Sequence, residues 1–278
     1  MSIYVLVLFI LSYILIDQKR LTVTTYPFAS SKLKTAYKII QLTDLHGHQF
    51  GKNNKRLIQT IQKQEPDLIV LTGDMINGNY ASSTRLLNVV EALSSTCPIY
   101  FIRGNHELAI KLYASWYDTF EQLLTKRGVI ILENDTIIHK DLTIYGLEVP
   151  LSRYAYVPKV MLKKASTSQY ETLLNLTPTD SNFSVALCHT PFLEEVFETA
   201  TYDVILSGHV HGGAIRLPIV GGLLSPERKF FPKYDAGVYE LPQSQLIVSR
   251  GLGSGKTLPL RVFNPPEIVV LTLQPKKK

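Results

Sequence analysis

Cysteine is scarce: Cys97 and Cys188 are the only two in 278 residues. That excludes a disulfide framework and a cysteine-rich zinc module. Charge is sparse as well, at 19% of residues against 45% hydrophobic, which excludes a disordered chain and a coiled coil. The sequence has no internal repeat and no low-complexity tract, and its 16 Gly and 15 Pro lack a collagen period. The excess of positive charge is small, since 29 Lys and Arg against 23 Asp and Glu leave +6. Such a surplus favours anionic partners or a bilayer surface. It is scattered along the chain and makes no case for nucleic acid. The length fits one or two domains of roughly 100–200 residues.

Long apolar runs are also lacking, with one borderline exception at the start. Residues 2–16 read SIYVLVLFILSYILI, with no charge. About 15 residues at ~1.5 Å each make roughly 22 Å of helix, short of a hydrocarbon core of about 30 Å. No basic residue precedes the run and no small-x-small cleavage site follows it. The expectation is a retained membrane anchor over residues 1–20 and one domain over 21–278; a cleaved signal or a buried helix is the alternative. Lys19, Arg20, Lys32, Lys34 and Lys38 follow the run, so the positive-inside rule leans the domain to the cytoplasmic face.

Beyond the anchor, short β-branched runs alternate with helical spacing. A polar stretch at 21–36 opens with a short strand, LTVTTY. YKIIQLTD, DLIVLTGD and PIYFIRGNHE read as buried strands, with helices expected over 52–64 and 81–94. A helix over 114–127 precedes VIIL, TIIH and LTIYGLE, which read as an antiparallel part. Residues 151–182 give no periodic signal. SVALCHTP, a helix at 191–199, DVILSGHVHGG and the strands GVYEL, QLIVSRG and IVVLTL complete the chain. The fold class is therefore α/β.

Five strand-like runs end in potential metal ligands: Asp44 and His46, Asp74, Asn105 and His106, His189, and His209 with His211. In open α/β sheets, binding sites lie beyond the carboxyl ends of strands. Each feature alone admits a plainer reading, such as a helix cap for Asp74 or a core histidine for His189. Together, in order, each at a strand end, they use most of the histidines. Two carboxylates, one amide and four imidazoles suffice for two divalent ions sharing one carboxylate, roughly 3.5–4 Å apart. Oxygen and nitrogen donors without thiolate suit manganese, iron or zinc. Two such ions would draw a phosphate and deprotonate a water molecule for attack on phosphorus. Of the other groups, His139 reads as structural, His48 as solvated and within reach of substrate, and Cys188 as core. Arg103, Arg216 and Arg250 read as ordinary ion-pair or surface arginines, with contact to phosphate as the alternative.

The motif order D-x-H, G-D, G-N-H, a lone His and G-H-x-H, over about residues 37–213, resembles the calcineurin-like metallophosphoesterase superfamily. The apolar start, the H-G-G at 211–213, the R-L-P at 216–218 and the F-N-P-P-E-I at 263–268 resemble a membrane-anchored bacterial branch. That branch is related to UDP-2,3-diacylglucosamine hydrolases; Ala214 departs from it, where Gln is common. The resemblance implies a four-layer α-β-β-α sandwich of two mixed sheets. It implies that Asp44, His46 and His211 hold one ion, that Asn105, His189 and His209 hold the other, and that Asp74 bridges. His106 would contact the scissile phosphate and stabilise charge or protonate the leaving oxygen. The expected activity is hydrolysis of a phosphodiester, pyrophosphate or phosphomonoester, with a lipid-linked phosphate as candidate substrate near the bilayer. A nucleotide or nucleic-acid phosphodiesterase and a non-catalytic scaffold are the alternatives.

Overall fold

The computed structural model describes residues 16–154, 172–173, 175–179, 181–198, 201–213, 215–217, 219–226, 228–254 and 261–276, preceded by 4–5, 8 and 12–13. Part of the apolar run at 2–16, residues 155–171 of the aperiodic stretch at 151–182, Ala214 and Pro218 lie outside the described residues. Tyr4, Val5, Leu8, Ser12, Tyr13, Ile16 and Asp17 are helical. Among the described residues no helix is long and apolar enough to cross a membrane.

Alternation of side chains along the strands builds the layers. The first sheet has the order β1-β14-β2-β3-β4-β5: β1 Thr22–Ser30, β14 Glu267–Pro275, β2 Tyr37–Leu42, β3 Leu68–Thr72, β4 Ile99–Ile102 and β5 Val129–Ile131. β2 to β5 are parallel; β14 runs antiparallel to β2 and parallel to β1. The second sheet has the order β12-β13-β9-β8-β7-β6: β12 Gly237–Glu240, β13 Gln245–Val248, β9 Val204–Ser207, β8 Phe183–Cys188, β7 Leu142–Leu147 and β6 Asp135–His139. Its four inner strands are parallel and its two edges antiparallel.

Successive residues of a strand face opposite sides, and here both sides are dry. Ile39, Val70 and Ile102 of the first sheet meet Ile144, Val185 and Leu206 of the second in the central layer. Their neighbours Ile40, Ile69, Leu71 and Phe101 face the helices α1 Lys55–Gln62, α2 Tyr80–Leu93, α3 Asn105–Tyr113 and α4 Tyr117–Lys126. On the far side, Tyr145, Ala186 and Ile205 pack with Val196 and Phe197 of the short helix α5 Glu194–Phe197. Burying a large aliphatic side chain contributes about 1.5–3 kcal/mol, so the three apolar layers fix how the sheets stack.

Three expectations need correction. β5, the VII of 129–131, joins the first sheet in parallel with β4; only β6 and β7 form the expected antiparallel pair. The helix expected over 114–127 starts only at Tyr117 as α4. A separate helix, α3, comes before it and ends where Ala114 leaves helical geometry at φ −106°, ψ 108°. The strand β1 is longer than the polar composition of 21–36 suggested, since its backbone is taken up by β14.

Leu206→Ala is expected to cost ~2–5 kcal/mol from the central layer, seen as a lower urea midpoint at unchanged slope. Ile138→Ala, on an exposed edge, should stay within ~0.5 kcal/mol.

Candidate metal centre

The polypeptide just past the carboxyl ends of β2, β3, β4, β8 and β9 supplies every candidate ligand. Asp44 follows β2 by two residues, Asp74 follows β3 by two, and Asn105 opens α3 after β4. His189 follows β8 directly, and His209 and His211 lie beyond β9. The loops after β2 and β3 run side by side, with Asp44 N–H donating to Gly73 O (3.0 Å) and His46 N–H to Asp74 O (3.0 Å). The two sheets meet at the same level. Gln41 Nε2 donates across to Ser207 O (2.9 Å), and His209 N–H to Asp44 Oδ2 (3.0 Å).

Backbone conformation aims the ligands. Asp44, His46, Asp74, His209 and His211 all have φ between 47° and 70°. This left-handed region costs an L residue roughly 1–2 kcal/mol. Strain of this kind persists where the surroundings over-determine it and concentrates at functional sites. Two glycines make the close approach possible: a Cβ on Gly104 would strike the Asp74 carboxylate, and one on Gly208 would strike Thr43 and Asp44.

Three groups of donors converge, each with atoms within 4.8 Å of one another: Asp44, His46 and His211; His46, Asp74 and His106; and Asp74, His189 and His209. His46 Nε2 lies 3.2 Å from His211 Nε2. Asp44 Oδ1 is 3.6 Å from His211 Nε2 and 4.0 Å from His46 Nε2. Asp74 Oδ2 is 3.3 Å from His189 Nε2, 3.8 Å from His46 Nε2 and 3.9 Å from His106 Nε2. Each aspartate thus divides its oxygens. Asp44 Oδ2 accepts from His209 N–H and Thr43 Oγ1, and Asp74 Oδ1 accepts from His106 N–H (2.8 Å). The other oxygen of each faces imidazoles.

These residues fit divalent cations. The acceptors Asp44 Oδ1 and Asn105 Oδ1 are buried and carry no hydrogen bond, although leaving such groups unsatisfied costs about 1–3 kcal/mol each. Around a tetrahedral cation with bonds of ~2.1 Å, donor atoms stand roughly 3.4 Å apart, the scale of the Asp44–His46–His211 triangle. His189 Nδ1 bonds to Thr72 O at 2.8 Å, which turns Nε2 toward Asp74. This is the arrangement expected of an oriented ligand imidazole.

Electrostatics divide the histidines. Burial holds His46 well below the ordinary imidazole range and pulls His211 down to about 4, so both are neutral and ligand-competent at neutral pH. Burial works against the charged form of His189 too, but the Asp74 carboxylate overrides it and pushes His189 up to about 9. His106 is half-buried at the rim, its ring edge-on to His46 with centroids 4.6 Å apart.

Sequence reasoning passed over several residues that shape this centre. The buried Glu107 accepts from the N–H groups of Asp74 (2.7 Å), Ile76 (3.0 Å) and Gly104 (3.0 Å), tying the second and third ligand loops together. Its signal was an acid at the third position of a helix that begins at a glycine. Arg261, fully buried, donates Nε to Gly253 O (2.8 Å) and Nη2 to Arg250 O (2.7 Å). It shapes a glycine-rich loop whose Leu252 and Gly253 N–H groups donate to Thr43 O and Asp44 O. That loop follows β13, a sixth parallel strand end, and GLGSG was its signal. Asn264 Nδ2 donates to His211 O (2.7 Å). Tyr154 lays its ring against His209 and His189, at 5.2 and 6.1 Å.

The remaining candidates have other places. Arg103 is buried and donates to Glu121 (2.5 Å), Glu133 (2.7 Å) and Glu148 (2.6 Å), clamping α4 and the end of β7 to the end of β4. Arg216 pairs with Asp235 (3.0 Å) and Arg250 with Glu267 (2.9 Å). His139 bonds to the Tyr100 hydroxyl at 3.0 Å. His48 is half-buried against Phe50, and Cys188 Sγ–H donates to Thr190 O in the outer layer.

Comparison with known proteins agrees with the geometry. Residues 37–213 match the family described as calcineurin-like phosphoesterase. A Bacillus subtilis protein named as the uncharacterized metallophosphoesterase YkuE is 32% identical over 249 residues, 86% of this chain and 79% of that protein. A Campylobacter jejuni metallophosphoesterase, Cj0846, is 31% identical over 254 residues, 88% of this chain; the match spans only 61% of that longer protein. The Escherichia coli phosphodiesterase YaeI is 25% identical over 241 residues, 85% of this chain and 82% of that protein.

Two outcomes are expected. A divalent cation must displace the proton that Asp74 holds on His189, so zinc binding at pH 7 should release roughly one proton. Calorimetry in two buffers of different ionisation enthalpy measures this; a buffer-independent heat would refute it. Glu107→Gln replaces one acceptor oxygen with an N–H₂ group that faces buried N–H donors. It should cost ~1–3 kcal/mol in urea unfolding and lower the metal content of the purified protein.

Proposed function

The chain belongs to the calcineurin-like phosphoesterases and is a metal-dependent phosphoester hydrolase, and on that premise we propose that it cleaves a phosphodiester or pyrophosphate bond in a lipid-linked substrate at a membrane surface. The observation that carries the catalytic part is Asp74 Oδ2, held within 4 Å of imidazole nitrogens from three separate loops. Asp44, His46 and His211 would hold one divalent ion and Asn105, His189 and His209 a second, with Asp74 between them. Two such ions, when bound, supply the Lewis-acid charge that lowers the pKa of water and polarises a P–O bond.

The chain's own residues supply position and protons. His106 presents Nε2 at the rim, 3.9 Å from Asp74 Oδ2, and is the half-exposed histidine of the group. In this reading it binds a phosphate oxygen and hands its proton to the departing oxygen as the P–O bond breaks. Glu107 holds the Asp74 and Gly104 backbone so that the loops bearing Asp74 and His106 keep their spacing. Tyr154, packed on His209 and His189, keeps water from one flank of the centre.

The membrane part has separate support. The run at 2–16 carries no charge, and its described residues Tyr4, Val5, Leu8 and Ile16 are exposed on a helix. The resemblance to a membrane-anchored bacterial branch related to the UDP-2,3-diacylglucosamine hydrolases supports the same reading, a lipid carrying a phosphoester. We place the domain on the cytoplasmic face, on the cations that follow the run.

Purified full-length protein should hydrolyse bis-p-nitrophenyl phosphate with added manganese and stop on chelation. Asp74→Ala should lower kcat by ~10²-fold or more, and His106→Asn by roughly 10²–10⁴-fold with metal content retained. Full activity in Asp74→Ala would overturn the proposed centre.

A further inference from the structure

Beside the metal centre lies a small sheet whose outer residues are apolar and exposed. The 3-10 turn His211–Gly213 leads into a hairpin of β10 Arg216–Leu217 and β11 Gly221–Gly222. The hairpin is flanked by Val262, bridged to Ile215, and by Phe230, bridged to Leu224. Phe231 N–H donates to Leu223 O, which continues the second flank. This apron is bolted to the ligand turn. Asn264 Nδ2 donates to His211 O, Arg216 Nη1 donates to Gly212 O, and a Cβ on Gly213 would strike Gly222.

The apron carries Leu217, Ile219, Val220, Phe230, Phe231 and Phe263, all exposed, with Ile219 fully so at the hairpin tip and Phe230 at 68%. Scattered exposed apolar residues are ordinary, but a contiguous set marks an interaction surface. Its backbone is costly to build. Ile219 (φ 71°), Phe231 (φ 50°) and Phe263 (φ 52°) sit in the left-handed region. Gly or Asn is the usual choice there, and a β-branched or bulky residue is an outlier.

Two further observations say what covers it. The loop at 225–234, SPERKFFPKY, carries Arg228, Lys229 and Lys233 against one acid in the same stretch of chain as the two phenylalanines, for a net +2; Lys229 Nζ stands 5.8 Å from the Phe192 ring and Lys233 Nζ 4.8 Å from the Tyr234 ring. The apolar N-terminal run reaches the same place, with the Tyr13 ring on Phe263 at 5.4 Å between centroids. Exposed apolar side chains on a cation-rich loop, in contact with an uncharged apolar segment, fit an anionic bilayer surface.

We propose that the 215–231 apron is an interfacial docking surface that rests on anionic lipid and brings the metal centre to phosphoesters at the bilayer plane. The inference rests on the lipid-linked reading of the substrate given above and adds the surface that would deliver it. The N-terminal run alone would tether the protein without orienting it. A second contact, joined by backbone pairing to the turn that carries His211, fixes which side of the domain faces lipid.

The test uses the full chain in phosphatidylglycerol vesicles, with Val220→Trp in a Trp116→Phe background. Acyl chains brominated near the headgroup should quench the emission of the introduced indole to roughly half or less, and zwitterionic vesicles should quench it less. Unquenched emission in phosphatidylglycerol overturns the proposal. Loss of vesicle-free self-association on Ile219→Asp and Phe231→Asp, with no quenching, would assign the face to a second copy and also overturn it. A paired assay separates docking from catalysis. The Ile219→Asp, Phe231→Asp protein should keep its rate on bis-p-nitrophenyl phosphate. On a vesicle-borne long-chain alkyl p-nitrophenyl phosphate it should lose roughly tenfold. Equal loss on both esters would place these residues in the site and refute docking. If the parent protein hydrolysed neither ester, the catalytic reading would fail while quenching still decided the apron.

Discussion

The centre depends on a division of labour within two carboxylates. One oxygen of Asp44 is spent on the backbone of the second sheet, through His209 N–H, and one oxygen of Asp74 on the start of α3, through His106 N–H. The remaining oxygens are left to face imidazoles. The same contacts that register the loops therefore decide which carboxylate oxygen is left to face a cation. Removing either aspartate would loosen the seam between the sheets as well as the ligand set.

That seam is polar beside a mainly apolar interface. Gln41 crosses it to Ser207 O, directly below the ligand loops, and is steadied by a second bond to the Thr72 hydroxyl of its own sheet. Buried polar groups are tolerated where they are paired, and when paired they specify one geometry. Apolar contact between Ile39, Val70 and Leu206 gives the sheets cohesion but little preference for register along the strands. The polar crossing adds a preference between the sheets, while the backbone ladders fix the register of the strands within each one.

Much of this was legible in the chain. YKIIQLTD, DLIVLTGD, PIYFIRGNHE and SVALCHTP announce buried strands that finish in donors, and the family resemblance follows from their order. Less legible were features set by partners far away in sequence. β1 looks polar and becomes a nine-residue strand because β14 takes its backbone bonds. β5 resembles its antiparallel neighbours in composition, and only packing assigns it to the other sheet. The left-handed geometry at Asp44, His46 and Asp74 has no sequence signature, since such residues are usually glycine or asparagine. Glu107 and Arg261 act through backbone atoms, and backbone contacts across loops leave no periodic trace.

The pairing of β1 with β14 has a consequence for biosynthesis. β14 lies between β1 and β2, so among the described strands β1 has no neighbour until the end of the chain arrives. Thr22 and Glu267 are 245 positions apart by numbering. At ~5–20 residues per second, roughly 12–50 s of translation separate them. Throughout that interval the unmatched edge of β1 stays open to wrong partners, right behind the apolar start of the chain. Early capture of that start by lipid or by a chaperone would shield the nascent protein until the final strand slots in and closes the sheet.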